Sequence, residues 1–220
     1  MNKFKRNILF SSALFVLFIV FTILVKTIDV QAVGPLGSEI GFAKLNVSVF
    51  ESFGYSSLFY KLTKLLGFLT FAIIGFFAVL GVYQLVKRKS IKKVDYKIIA
   101  LGCFYVLVFA FYFLFEIIVI NYRPLLTESG LEASYPSSHT ILSLCVISSA
   151  LIVLKDMVAC KKIKLGAYIL GGVIMAIMAV GRLLSGVHWF TDIIGAILLS
   201  ASLVSAFFTA ISFLKEKFTK

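Results

Sequence analysis

The chain has 220 residues, 60% of them hydrophobic and only 15% charged, and its mean hydropathy is +1.04; a soluble domain does not sustain that apolar excess. A net charge of +12 does not make it a nucleic-acid binder, because the bases lie in short clusters between apolar stretches rather than along one soluble face. The 23 Phe and only 3 Pro favour long unbroken helices over a barrel, since hydrocarbon leaves every backbone polar group to be paired internally.

Apolar runs follow one another at residues 8–25, 65–86, 98–120, 137–154, 165–184 and 189–214. Each is long enough to cross a hydrocarbon core of roughly 30 Å at about 1.5 Å per residue. The expected fold is therefore all-α, a polytopic six-transmembrane-helix bundle forming one membrane domain over 1–220. The first run could be read as a signal peptide, with Val30-Gln31-Ala32 as a loose cleavage site, but its apolar stretch exceeds a usual signal core and it is kept as a span. Between the first and second runs, Phe42, Leu45 and Val49 fall at helical spacing, which predicts a short interfacial helix. Asn46-Val47-Ser48 in the same segment fits a glycosylation tripeptide, a pattern common by chance.

Basic residues cluster before the first span (Lys3, Lys5, Arg6), between the second and third (Lys87 to Lys97), after the fourth (Lys155 to Lys164) and after the last (Lys215, Lys217, Lys220). The positive-inside rule then puts both termini and Cys160 in the cytoplasm, and the other loops, including Glu128, outside. The expected location is a bacterial plasma membrane. The three cysteines are dispersed, Cys103 and Cys145 in spans and Cys160 in a basic loop, so they form no disulfide or metal-ligand framework and read as packing residues.

Polar residues crowd the outer ends of spans three to six, in Asn121-Tyr122-Arg123-Pro124, Tyr135-Pro136-Ser137-Ser138-His139-Thr140 and the stretch from Gly181 to Asp192. Both histidines of the chain fall in these clusters. One membrane histidine is commonly an interfacial residue, but two at one level with two arginines and an aspartate form a constellation. His188 and Asp192 are four apart, so a helix starting there would let the carboxylate hold one ring nitrogen and leave the other as a nucleophile. The bland alternative is that Asp192 caps its helix or pairs with Arg182. Arg123 and Arg182 offer planar charged forks suited to phosphate oxygens, and a serine hydroxyl with free N–H groups at the start of span four adds donors. For either arginine alone the alternative is snorkelling to headgroups.

At these residues the sequence resembles the type-2 phosphatidic-acid phosphatase family, lipid phosphate phosphatases that share a site with vanadium haloperoxidases. The family motifs K-x6-R-P, P-S-G-H and S-R-x5-H-x3-D are matched at Arg123 and Pro124, at Pro136, Ser137 and His139, and at Arg182, His188 and Asp192, an ordered set within 116–192. The resemblance implies that His188 is the nucleophile, Asp192 its orienting partner and His139 the acid on the leaving oxygen. It makes Arg123, Arg182, Ser137 and the adjacent Ser138 phosphate ligands, with no metal and no cofactor. It implies as partners a lipid phosphate and the surrounding membrane lipids rather than nucleic acid, with phosphatidic acid, phosphatidylglycerol phosphate and undecaprenyl pyrophosphate as candidate substrates; the oligomeric state stays open. Three positions depart: Glu116 stands for the first-motif lysine, Ser138 for the motif glycine and Gly181 for the serine before Arg182. With span three running to residue 120, Glu116 would lie two turns before Arg123 on one helix face, and a carboxylate there calls for a cation: Arg123, Arg182, Lys61 or Lys64. The alternatives are a lipid-phosphate binding or transport protein, for which Glu116 is the sign, and a phosphoryl transferase using the same residues.

Overall fold

The computed structural model describes residues 3–126 and 130–218; the loop position Glu128 lies outside the described residues. Seven α-helices are found there: α1 Lys3–Thr27, α2 Ala43–Phe53, α3 Ser57–Arg88, α4 Tyr96–Ile117, α5 Ser138–Met157, α6 Lys161–Leu184 and α7 Phe190–Phe218. All but α2 are long and apolar enough to cross a membrane. The chain is an integral membrane protein, and the six expected spans are all present.

The helices α5 and α7 form the buried centre. Along α7, Ala196, Leu199, Leu203 and Phe207 are buried, and along α5, Ile141, Cys145, Val146 and Val153. Helix α1 packs along α7, α3 and α4 pack on α5, and α6 closes against α5 and α3. Because lipid is as apolar as these side chains, association depends on close packing and on hydrogen bonds between helices rather than on burial from water. Examples are Thr70 with Ser143 at 3.1 Å, Ser202 donating to the Ser11 carbonyl at 3.2 Å, and Thr22 with Tyr135 at 2.8 Å. At the far end, Asp156 of α5 binds Lys97 of α4 at 2.9 Å and Lys215 of α7 at 3.4 Å, tying three helices together.

Span three ends earlier than its apolar run. Helix α4 stops at Ile117, short of the expected residue 120, where the β-branched run Ile117-Ile118-Val119-Ile120 stiffens the chain and Pro124 follows. Beyond it the backbone turns extended, and Tyr122 pairs antiparallel with Ala133. Arg123 therefore sits on a loop hairpin, not two turns along the helix that carries Glu116. The expected interfacial helix is α2, but it is not a free amphipathic segment: Ala43 and Asn46 are buried, and its inner face packs on the start of α7.

Candidate active site

The paired stretches 121–126 and 130–134, the start of α5, the α6–α7 link and α2 converge at one end of the bundle. His188, in the link, is only 2% exposed. Its Nδ1 lies 3.1 Å from the Ser134 carbonyl and 3.5 Å from Asp192 Oδ2, and its Nε2 lies 3.1 Å from Arg182 Nη2. A guanidinium can only donate, so Nε2 accepts and Nδ1 carries the hydrogen. The geometry thus selects a tautomer and leaves the Nε2 lone pair facing Arg182. Burial, with Arg182, Arg123 and His139 alongside, holds this imidazole well below its ordinary pKa. It is neutral, and a neutral imidazole is the nucleophilic form.

Asp192 reaches His188 as its four-residue spacing anticipates, but the Ser134 carbonyl is the closer acceptor. The same carboxylate oxygen accepts the Trp189 N–H at 2.9 Å, locking the first turn of α7. Asp192 therefore both caps its helix and flanks the imidazole, and among the described residues it makes no ion pair with Arg182. The Ser134 carbonyl was missed because a backbone acceptor carries no side-chain signal.

Arg182 is 1% exposed and lies against the Tyr60 ring, 5.9 Å from its centroid. Its burial rules out simple snorkelling. The charges of Arg182 and Arg123 act on both imidazoles, so the two arginines and two histidines share one site. His139 Nδ1 and Arg182 Nε are buried without a hydrogen-bond partner among the described residues, which is donor and acceptor capacity a ligand can take up. His139 and Ser138 also line a cavity of about 160 Å³ between α3, α4 and α5, walled by Phe71, Phe109 and Tyr112.

Ser137 is fully buried. Its N–H donates to the Asp192 carbonyl at 3.1 Å and its hydroxyl accepts from Thr140 at 3.0 Å, so it ties α5 to α7. The following N–H groups of Ser138, His139 and Thr140 have no partner within the helix, as at any helix start. Arg123 is held by Glu132 across the hairpin, Nε to Oε2 at 3.2 Å, with its backbone N–H on the Glu132 carbonyl. That partner was not anticipated, because it lies nine residues away and meets Arg123 only through the hairpin. Glu116 is exposed and makes no ion pair among the described residues. The expected pairing with Arg123, Arg182, Lys61 or Lys64 is absent there: the shortened α4 leaves Glu116 on the helix while Arg123 departs on the loop.

The first part of the chain clamps the α6–α7 link from above. Asn46 of α2, wholly buried, accepts the Thr191 N–H at 3.1 Å and donates to the Thr191 hydroxyl and the Gly41 carbonyl. It caps α7 beside Asp192, and its burial closes it to glycosylation. Phe50 packs on Trp189 with ring centroids 5.8 Å apart. Gly186, at φ +68°, lies so close to the Gly54 carbonyl that a Cβ would come within 2.5 Å of it, so only glycine fits.

The PAP2 superfamily model matches residues 118–216. Phosphatidylglycerophosphatase B of Bacillus subtilis (strain 168) is 34% identical over 76 residues, which is 34% of this chain and 36% of that protein; the chain thus matches only about a third of that relative's length. The crystal structure of a transmembrane PAP2 type phosphatidylglycerolphosphate phosphatase from Bacillus subtilis aligns with a TM-score of 0.63 over 94% of this chain and 96% of the other, at 18% identity. The stretch that carries the candidate site, residues 118–216, is thus similar to the PAP2 superfamily. Gly181, where the resembled motif has serine, has a structural reason: a Cβ there would stand 2.7 Å from Thr63 of α3, so α3 packs closer to Arg182 than a serine allows.

Proposed function

We propose that this chain is a PAP2-type membrane phosphatase that hydrolyses a lipid phosphate or pyrophosphate through a phosphohistidine. The observation that carries the reading is the buried His188, fixed through Nδ1 and presenting Nε2 beside Arg182 and within range of Arg123 and His139. A pure binding site has no use for an oriented nucleophile. Nε2 attacks phosphorus, the ester oxygen leaves with a proton from His139, and the phosphoryl group stays on Nε2. His139 then takes a proton from water as that water attacks phosphorus, and phosphate departs. Arg182, Arg123 and the free N–H groups opening α5 hold the phosphoryl oxygens, with Ser137 tying that helix start to α7 and Ser138 beside it on the cavity wall. Two permanent cations supply the charge that a metal would otherwise provide.

Phosphatidylglycerol phosphate is the first candidate substrate, given the similarity in sequence and in fold to a Bacillus subtilis phosphatase named for it. The aromatic-walled cavity beside His139 suits an apolar chain next to the phosphate. Phosphatidic acid and undecaprenyl pyrophosphate share the chemistry. The test is phosphate release from these three lipids in detergent micelles by the purified protein, in chelator. We expect release from at least one, unchanged by chelator and blocked by vanadate. Release from none leaves a binding or transport protein, the reading Glu116 favours, and loss in chelator restored by a divalent ion overturns the metal-free scheme. Phosphoryl transfer to an acceptor other than water would appear as a phosphorylated product in place of free phosphate.

The site is further proposed to face outward, because the basic clusters flank the opposite ends of the spans. Cys160 is exposed on that opposite side. An impermeant thiol reagent should leave it unmodified in intact cells and label it once the membrane is opened; labelling in intact cells inverts the topology.

A further inference from the structure

The superfamily's first motif places a lysine where this chain has Glu116, so the phosphate clamp lacks one of its cations at the usual address. Helix α3 carries a stripe that faces the site. Tyr60 lies under the Arg182 guanidinium, and Gly67 faces the His139 ring so closely that a Cβ there would sit 3.4 Å from its Cδ2. Lys64 stands four residues after Tyr60 and three before Gly67, and residues at such spacing share one helix face. Its spacing therefore puts it on the side of α3 that carries the contacts to Arg182 and His139. It is exposed and forms no ion pair among the described residues, and its charge reaches His139.

We propose that Lys64 is the missing cation: a phosphate-binding residue supplied by α3 in place of the first-motif lysine. The inference rests on the phosphatase reading. Two features of the chain fit it. Gly181 lets α3 approach Arg182 more closely than the motif serine would, and Gly67 gives α3 room against His139, so the helix bearing Lys64 is drawn onto the site. Glu116, at the end of α4 and exposed, is free of that duty. An ammonium on a flexible stem suits a phosphate whose oxygens shift as it passes from lipid to histidine and on to water.

The test compares Lys64→Met, Lys64→Arg and Lys61→Met, with the double variant Lys64→Met/Glu116→Lys, in kinetics on phosphatidylglycerol phosphate. The binding of inorganic phosphate to each purified protein is measured by calorimetry. Lys64→Met should raise KM and weaken phosphate binding by about tenfold or more, the usual size of a lost charge-assisted hydrogen bond. Lys64→Arg should stay within a few-fold of wild type, and Lys61→Met, which removes a charge about one turn further along α3 from His139, should lose clearly less than Lys64→Met. Partial recovery in the double variant would show the cation restored at its usual address. Unchanged binding in Lys64→Met, or an equal loss in Lys61→Met, overturns the proposal. If the wild-type protein binds phosphate but turns over no lipid, the phosphatase reading fails while the calorimetry still decides Lys64; if it binds no phosphate, both fall.

Discussion

His188→Ala lowers turnover by roughly 10⁴- to 10⁶-fold, the scale on which removing a nucleophile from a preorganised site acts. Among the described residues, His188 is the imidazole with both ring nitrogens held, whereas His139 Nδ1 has no hydrogen-bond partner. His139 is placed to move protons, and the arginines can only donate. The loss appears in kcat, because the phosphate ligands are untouched, and binding of inorganic phosphate stays within a few-fold of wild type. Removing the imidazole strands the Ser134 carbonyl and one Arg182 donor, at about 1–3 kcal/mol for each buried group left unsatisfied. A thermal melt in detergent is therefore run beside the kinetics. A variant that melts as a folded protein yet keeps more than about a hundredth of wild-type turnover would remove His188 from the covalent step.

Arg182→Lys should cost about 10²- to 10³-fold in kcat, comparable with losing an oxyanion donor. The guanidinium does two things at once: Nη2 reaches His188 Nε2, and its plane lies against Tyr60. An ammonium keeps the charge but not the planar fork, so it cannot hold both the attacking nitrogen and a phosphoryl oxygen in line. The split between kcat and KM is informative. A change in KM alone would make Arg182 a ground-state ligand like any other cation, whereas its contact with His188 Nε2, the atom proposed to attack, calls for a change in kcat.

The six spans were legible because hydrocarbon enforces helix and length together, and their apolar runs end where bases begin. The site's titratable residues were legible for a related reason: ionisable groups at membrane depth stand out against an apolar background. What escaped was everything set by non-local backbone. The Ser134 carbonyl that orients His188, the Glu132 that holds Arg123, and the Asn46 that caps α7 all depend on the pairing of the stretches at Tyr122 and Ala133 and on α2 folding over the α6–α7 link. Asn46 carried only a glycosylation pattern in sequence, yet it is buried beside Asp192. The end of α4 was misplaced by three residues because the apolar run continues past it, while β-branching and Pro124 already work against helix. That small shift took Arg123 off the Glu116 helix and removed the expected ion pair between cation and carboxylate.

The covalent step is the centre of the proposed mechanism, and it is tested most directly by rapid quenching. The wild-type protein is mixed with phosphatidylglycerol phosphate labelled in its terminal phosphate, stopped in base within the first turnover, and digested to peptides. The expected result is a labelled phosphoryl group, stable to base and lost in acid, on the peptide containing His188, and absent from His188→Ala. Label on a serine or on His139, or full turnover with no labelled peptide at any time, would contradict it.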